Sequence, residues 1–147
     1  MNARRVLASD MGSTLPLVAG FGALVLAVAL LVAAATSLYL EKKSLLALAD
    51  GASLSAAESF ELSDVELTPD GPRPTLRPAT IRAAVDDYLE RARTEHFDEL
   101  AVTHADTADG RSATVTLTAY WRPPVATVFI PDGIRIEATS TARSVFG

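Results

Sequence analysis

The apolar residues change rhythm along the chain. Between Gly12 and Leu40 there is no rhythm. No charged side chain occurs, and Leu24, Val25, Leu26, Val28, Leu30, Leu31 and Val32 load every side of a helix. A bilayer core needs roughly 20 apolar residues as helix, and a domain of this size cannot hide so long an all-round apolar segment. The pattern predicts a transmembrane helix. From Glu41 to Phe60 the apolar positions become periodic. Leu45, Leu48, Ala49, Ala52, Ala56 and Phe60 follow the i, i+3, i+4, i+7 rule, with Lys43, Asp50 and Glu58 on the other side. This segment has no Pro, and Gly51 is its one Gly. A single helix is therefore expected from about Ser13 to Ser59, roughly 70 Å long at 1.5 Å per residue. Pro16 stands where a helix begins. The first half would lie in lipid and the second would emerge as an amphipathic stalk. The stalk stripe needs a cover: either the rest of the chain folds back on it, or other subunits pack there.

Past the stalk, Glu61–Pro78 carries Pro69-Asp70-Gly71-Pro72, Pro74 and Pro78, the punctuation of a linker. Within it, Ser63–Thr68 alternates enough for a short strand. Ala79–Thr94 reads as a second helix, with Ile81, Ala84, Val85, Tyr88 and Ala92 on one face and charged residues on the other. The remainder alternates with a period of two. Glu99–Ala105 is a candidate strand, and Asp109-Gly110 a turn signal. Ser112–Trp121 sets Val115, Leu117, Ala119 and Trp121 against Thr114, Thr116, Thr118 and Tyr120. Val125–Ile130 is a short apolar strand, and Ile134–Arg143 the last, with Ile134, Ile136 and Ala138 inward. The fold class is α+β: a long N-terminal transmembrane and stalk helix, a second short helix, then a three- to four-stranded antiparallel sheet. The expected divisions are a leader (1–12), the span (13–40), the stalk (41–60) and a small head (61–147).

Charge sets the topology. Arg4 and Arg5 precede the apolar run and favour a cytoplasmic N-terminus, although Lys42 and Lys43 flank its far end. A cleaved signal would have an apolar region of about 7–15 residues; this run is longer, which favours a retained anchor with the head outside. From Glu41 onward there are 11 Lys/Arg against 17 Asp/Glu, a balance of −6. An acidic head argues against nucleic acid, which requires clustered Lys/Arg. The chain has no Cys, so disulfides and thiolate chemistry are absent and packing alone must hold the head.

Catalytic groupings are not apparent. His96 and His104 are the two histidines, without close ligand spacing. Asp86-Asp87 lies on a helix's wet face, and Asp106 and Asp109 flank a turn that selects Asp for backbone reasons. No glycine-rich phosphate loop or nucleophile motif occurs. The chain reads as a non-enzyme with no cofactor, no metal and no small-molecule substrate. Trp121 is a core anchor on the favoured reading. On the alternative reading it joins Arg122–Ile130 in an exposed contact patch.

Asp10-Met11-Gly12-Ser13 enters the span. Ser37-Leu38-Tyr39-Leu40-Glu41-Lys42-Lys43 leaves it, and Leu48-Ala49-Asp50-Gly51-Ala52-Ser53-Leu54-Ser55-Ala56-Ala57 follows. In this order, over roughly residues 10–60, the chain resembles the Tad/Flp pilus-assembly family, in particular its TadE/TadG-like members. The resemblance implies an accessory or minor pilin-like subunit of a Tad-type pilus or secretion apparatus, in a bacterial cytoplasmic membrane. Its partners would be the lipid bilayer and other single-span assembly subunits. Pilin-type members of such systems carry a glutamate five residues after the cleavage glycine. If Gly12-Ser13 is the candidate processing site, Leu17 holds that position. The residues expected to make the contacts between subunits are Leu45, Leu48, Ala52 and Ala56, with Asp50 as a polar specifier. Small residues four apart, Ala19, Ala23 and Ala27 in the span and Gly51, Ser55 and Ser59 in the stalk, allow close helix approach. The competing function is a membrane-tethered binding domain that uses the Trp121–Ile130 region.

Overall fold

A computed structural model describes residues 14–60, 65–69, 71–123 and 132–144. The leader, Gly12, Ser13 and the expected strand Val125–Ile130 lie outside the described residues. Two compact units divide at Ala33/Ala34. The first holds the start of helix α1, which runs Leu15–Ala57. Pro16 occupies its opening turn, where a missing N–H costs no helical bond. Every described residue up to Ala33 is exposed, and the helix is long and apolar enough to cross a membrane.

The second unit contains the rest of α1 and the head. The helix ends without Gly: Ser59 folds its Oγ back to donate to the Ala56 carbonyl at 2.7 Å, and the Ser59 N–H reaches the same oxygen at 3.3 Å. The expected linker contains a hairpin, β1 (Val65–Thr68) against β2 (Gly71–Pro74). The sequence signalled the first strand, whereas two prolines hid the second. Both are tolerated because each strand of a two-stranded ribbon is an edge. Helix α2 spans Pro78–Arg91, with Pro78 at its start. It stops short of the expected Thr94 because Ala92 is extended, donating its N–H to the Tyr88 carbonyl.

Strands β3 (Asp98–Asp106), β4 (Ser112–Trp121) and β5 (Ile134–Arg143) form an antiparallel meander with β4 central. The β4–β5 register is unbroken from Ser112↔Arg143 to Trp121↔Ile134. That of β3 is interrupted twice, between Asp98 and Ala101 and between Val102 and His104. Glu99 at the first interruption has φ +52°, a conformation side chains disfavour. Its carboxylate and that of Asp98 both meet Arg122 from the end of β4, at 3.4 and 3.3 Å.

The alternation predicted for β4 holds: Val115, Leu117, Ala119 and Trp121 are buried. The opposite face is less wet than expected. Thr116 and Thr118 are also buried, and Thr114 and Thr116 exchange hydroxyl hydrogen bonds with Thr141 and Thr139, each at 2.9 Å. Ile134 corrects the sequence reading. Its register puts it opposite Trp121, but at the end of the sheet, where it remains 42% exposed. Gly133 supplies the turn into β5: φ is +72°, and a Cβ there would lie 2.9 Å from the Trp121 carbonyl oxygen.

The core joins Leu45, Leu48, Ala49, Ala52 and Ala56 of α1 with Ile81 and Val85 of α2 and the inward residues of β4 and β5. Leu45 is fully buried, so Leu45→Ala should cost about 2–5 kcal/mol. Leu40→Ala, on the exposed side, should stay within about 0.5 kcal/mol. Denaturation of the full chain in detergent, followed by Trp121 fluorescence, measures both.

Candidate packing faces of the stalk helix

The residues expected to touch other subunits fall on two sides of α1. Leu45, Leu48, Ala52 and Ala56 have 0–9% of their surface exposed and belong to the core shared with the chain's own head. Of the two covers open to the stripe, the structure contains the first: the head folds back on it. Asp50 lies away from them and is exposed.

Polar groups fasten the helix to the sheet. Buried Ser53 donates its Oγ within 2.9 Å of the Asp50 carbonyl, and that hydroxyl is also 3.1 Å from Ser140 Oγ on β5. Trp121 Nε1 donates to Ser37 Oγ at 3.2 Å. Burying an indole requires a partner for its N–H, and α1 provides it. Trp121 is thus a core anchor and not an exposed patch. Neither serine stood out in the sequence, where each is one small residue among many. Ser53 immediately follows the stripe residue Ala52, and that position is the one signal the sequence carries for it.

Gly51 has a different task. A Cβ at this position would lie 2.0 Å from Tyr88 Oη, so the missing side chain is the seat of the α2 tyrosine. Ser55, on the same side, lines a small hollow with Tyr88, Arg91 and Ala92. The small residues of the stalk therefore admit the second helix of the same chain. Tyr88 is half-buried at this contact, Ala84 is half-buried one turn earlier on α2, and Arg91 is paired with Asp87 on the wet side of the helix.

The candidate chemical groups are dispersed. His96 stacks on Phe97 with ring centroids 4.0 Å apart, and His104 is exposed on β3 opposite Thr116. A groove of about 500 Å³ between α2 and β3 is lined by Asp86, Leu89, Glu90, Thr94 and Leu100–Val102. Asp109 works on the backbone. Its Oδ1 accepts the Arg111 and Ser112 N–H groups at 2.9 and 2.7 Å, and these bonds lower its pKa to about 2.

An exposed apolar helix leading into an α+β head fits a single-pass membrane protein. Residues 12–59 match the family model described as Flp pilus-assembly TadE/G-like, in agreement with the sequence resemblance. No curated protein and no solved structure matches the chain.

Two predictions follow from this geometry. In a Tyr88→Ala background, Gly51→Ala should stabilise by about 0.5–1 kcal/mol through helix propensity. With Tyr88 present that gain should vanish or reverse, a coupling measurable by a double-mutant cycle in denaturant. The Asp109 carboxylate titrates lower in the folded chain than its ordinary value of 3.8. Its stabilisation is therefore complete above pH 3.8 and lost as pH falls through about 2. Amide exchange at Arg111 and Ser112 should accelerate over that window in the native chain, and the acid-dependent step should disappear in Asp109→Asn.

Proposed function

We propose that this chain is an accessory, minor pilin-like subunit of a Tad-type pilus apparatus. The family match supports a role in Tad pilus assembly. The observation that carries the finer reading is the double use of the matched segment. It supplies the candidate membrane span and also the buried stripe on which the head is built. The function is assembly, not turnover: the span holds the protein in the cytoplasmic membrane, and helix faces left uncovered by the head meet neighbouring single-span subunits. The arginines at positions 4 and 5 favour an inside N-terminus and an outside head.

Deleting the protein from its native cell should reduce pilus number. From mild detergent it should co-isolate with other single-span pilus subunits. Replacing Gly12–Leu40 by an unrelated apolar helix of the same length should preserve membrane retention and weaken that co-isolation. Normal piliation after deletion, with no pilus subunit co-isolated, would overturn the assignment.

A further inference from the structure

The head covers one side of α1; the other side carries a pattern of its own. Leu40, Ala47 and Leu54 succeed one another at heptad spacing, large, small, large, and Lys43 and Asp50 stand one heptad apart beside them. All five are exposed, Leu40 by 56% and Leu54 by 53%. Neither charge has an opposite charge three or four residues away on its own helix, the distance at which helical neighbours pair. In the sequence the same spacing continues upstream through Ala33, Leu26 and Ala19, again alternating small and large.

Two parallel copies facing each other in equal register would oppose Leu40 to Leu40, Lys43 to Lys43 and Asp50 to Asp50. Displacing one copy by a heptad, about 10.5 Å along the helix, removes both like-charge oppositions and the Leu40–Leu40 crowding. Leu40 then meets Ala47, Ala47 meets Leu54, and Lys43 meets Asp50. Large residues fill the space above small ones, as helix seams require, and unlike charges replace like charges. We propose that this face docks a second copy of the chain, parallel and displaced by one heptad, with Lys43 of one copy paired to Asp50 of the other. The displacement leaves one Lys43 and one Asp50 in each pair without an opposite charge across the seam. This deepens the assembly reading and rests on it for the presence of several parallel copies in one membrane.

The absence of Cys makes the register directly readable. Two differently tagged full-length chains, Leu40→Cys in one and Ala47→Cys in the other, are co-expressed in the native membrane and oxidised. The expected result is a 40–47 disulfide several-fold more abundant than 40–40 or 47–47 products. Adding Lys43→Glu to both copies should sharply reduce the product, and adding Asp50→Lys as well should restore it. Trp121 fluorescence confirms that the head is folded in each variant. Dominant same-position disulfides, no disulfide at all, or indifference to Lys43→Glu would overturn the proposal. If the 40–47 disulfide forms but deletion leaves piliation normal, the displaced packing stands and the pilus role fails. If deletion abolishes pili but no such disulfide forms, the role stands and the displaced packing fails.

Discussion

Everything in the head depends on the burial of one helical stripe. Leu45, Leu48, Ala49, Ala52 and Ala56 are the side of α1 that the rest of the unit packs upon. Three of the five are alanines, which bring backbone close to backbone while contributing little area. Leu45 and Leu48 supply the bulk on this side, and Ile81, Val85, Val115, Leu117 and Trp121 supply it from the other. A core so divided cannot form from the head alone. Without disulfides to close loops, these contacts and the hydrogen bonds at Ser37 and Ser53 are what join the helix to its sheet.

Much of this was legible in the sequence because period and burial coincide. The change from unpatterned apolar residues to a 3.6-residue period, then to strict alternation, placed α1, α2, β3, β4 and β5 within a few residues of their observed ends. What periodicity could not reveal was the identity of the partner. A stripe of Leu and Ala looks the same whether a neighbouring subunit or its own head covers it, so the pattern that assigns Leu45, Leu48, Ala52 and Ala56 to contacts between subunits is equally the pattern of a core helix. Gly51 looked like a site of close helix approach, which it is, but nothing local named Tyr88. The β2 strand was hidden by Pro72 and Pro74, residues that argue against a strand except at an edge.

The two sides of α1 now have separate tasks. The buried side builds the head, and the side bearing Leu40, Lys43, Ala47, Asp50 and Leu54 remains available to other molecules. The sheet shows a comparable asymmetry. Strand β3 is interrupted twice and held in place by Arg122 across Asp98 and Glu99, features that discourage another strand from pairing there. Strand β5 is regular throughout. Its Ser140 is hydrogen-bonded to α1 on the inner side, and its Thr139 and Thr141 hydroxyls are tied to β4 on the outer.

The order of these elements along the chain sets the order in which they are born. The stripe on α1 is synthesised before any strand of the three-stranded sheet, and β5, which supplies Ile136, Ala138 and Ser140 beside it, comes last. Contacts so distant in sequence form slowly, because the intervening chain must first be closed into a loop. A nascent molecule therefore keeps part of the Leu45, Leu48, Ala52 and Ala56 stripe uncovered until β5 is made. The surface that is hidden in the mature protein is, for that interval, exposed apolar area, the kind that makes an unfinished chain prone to aggregate.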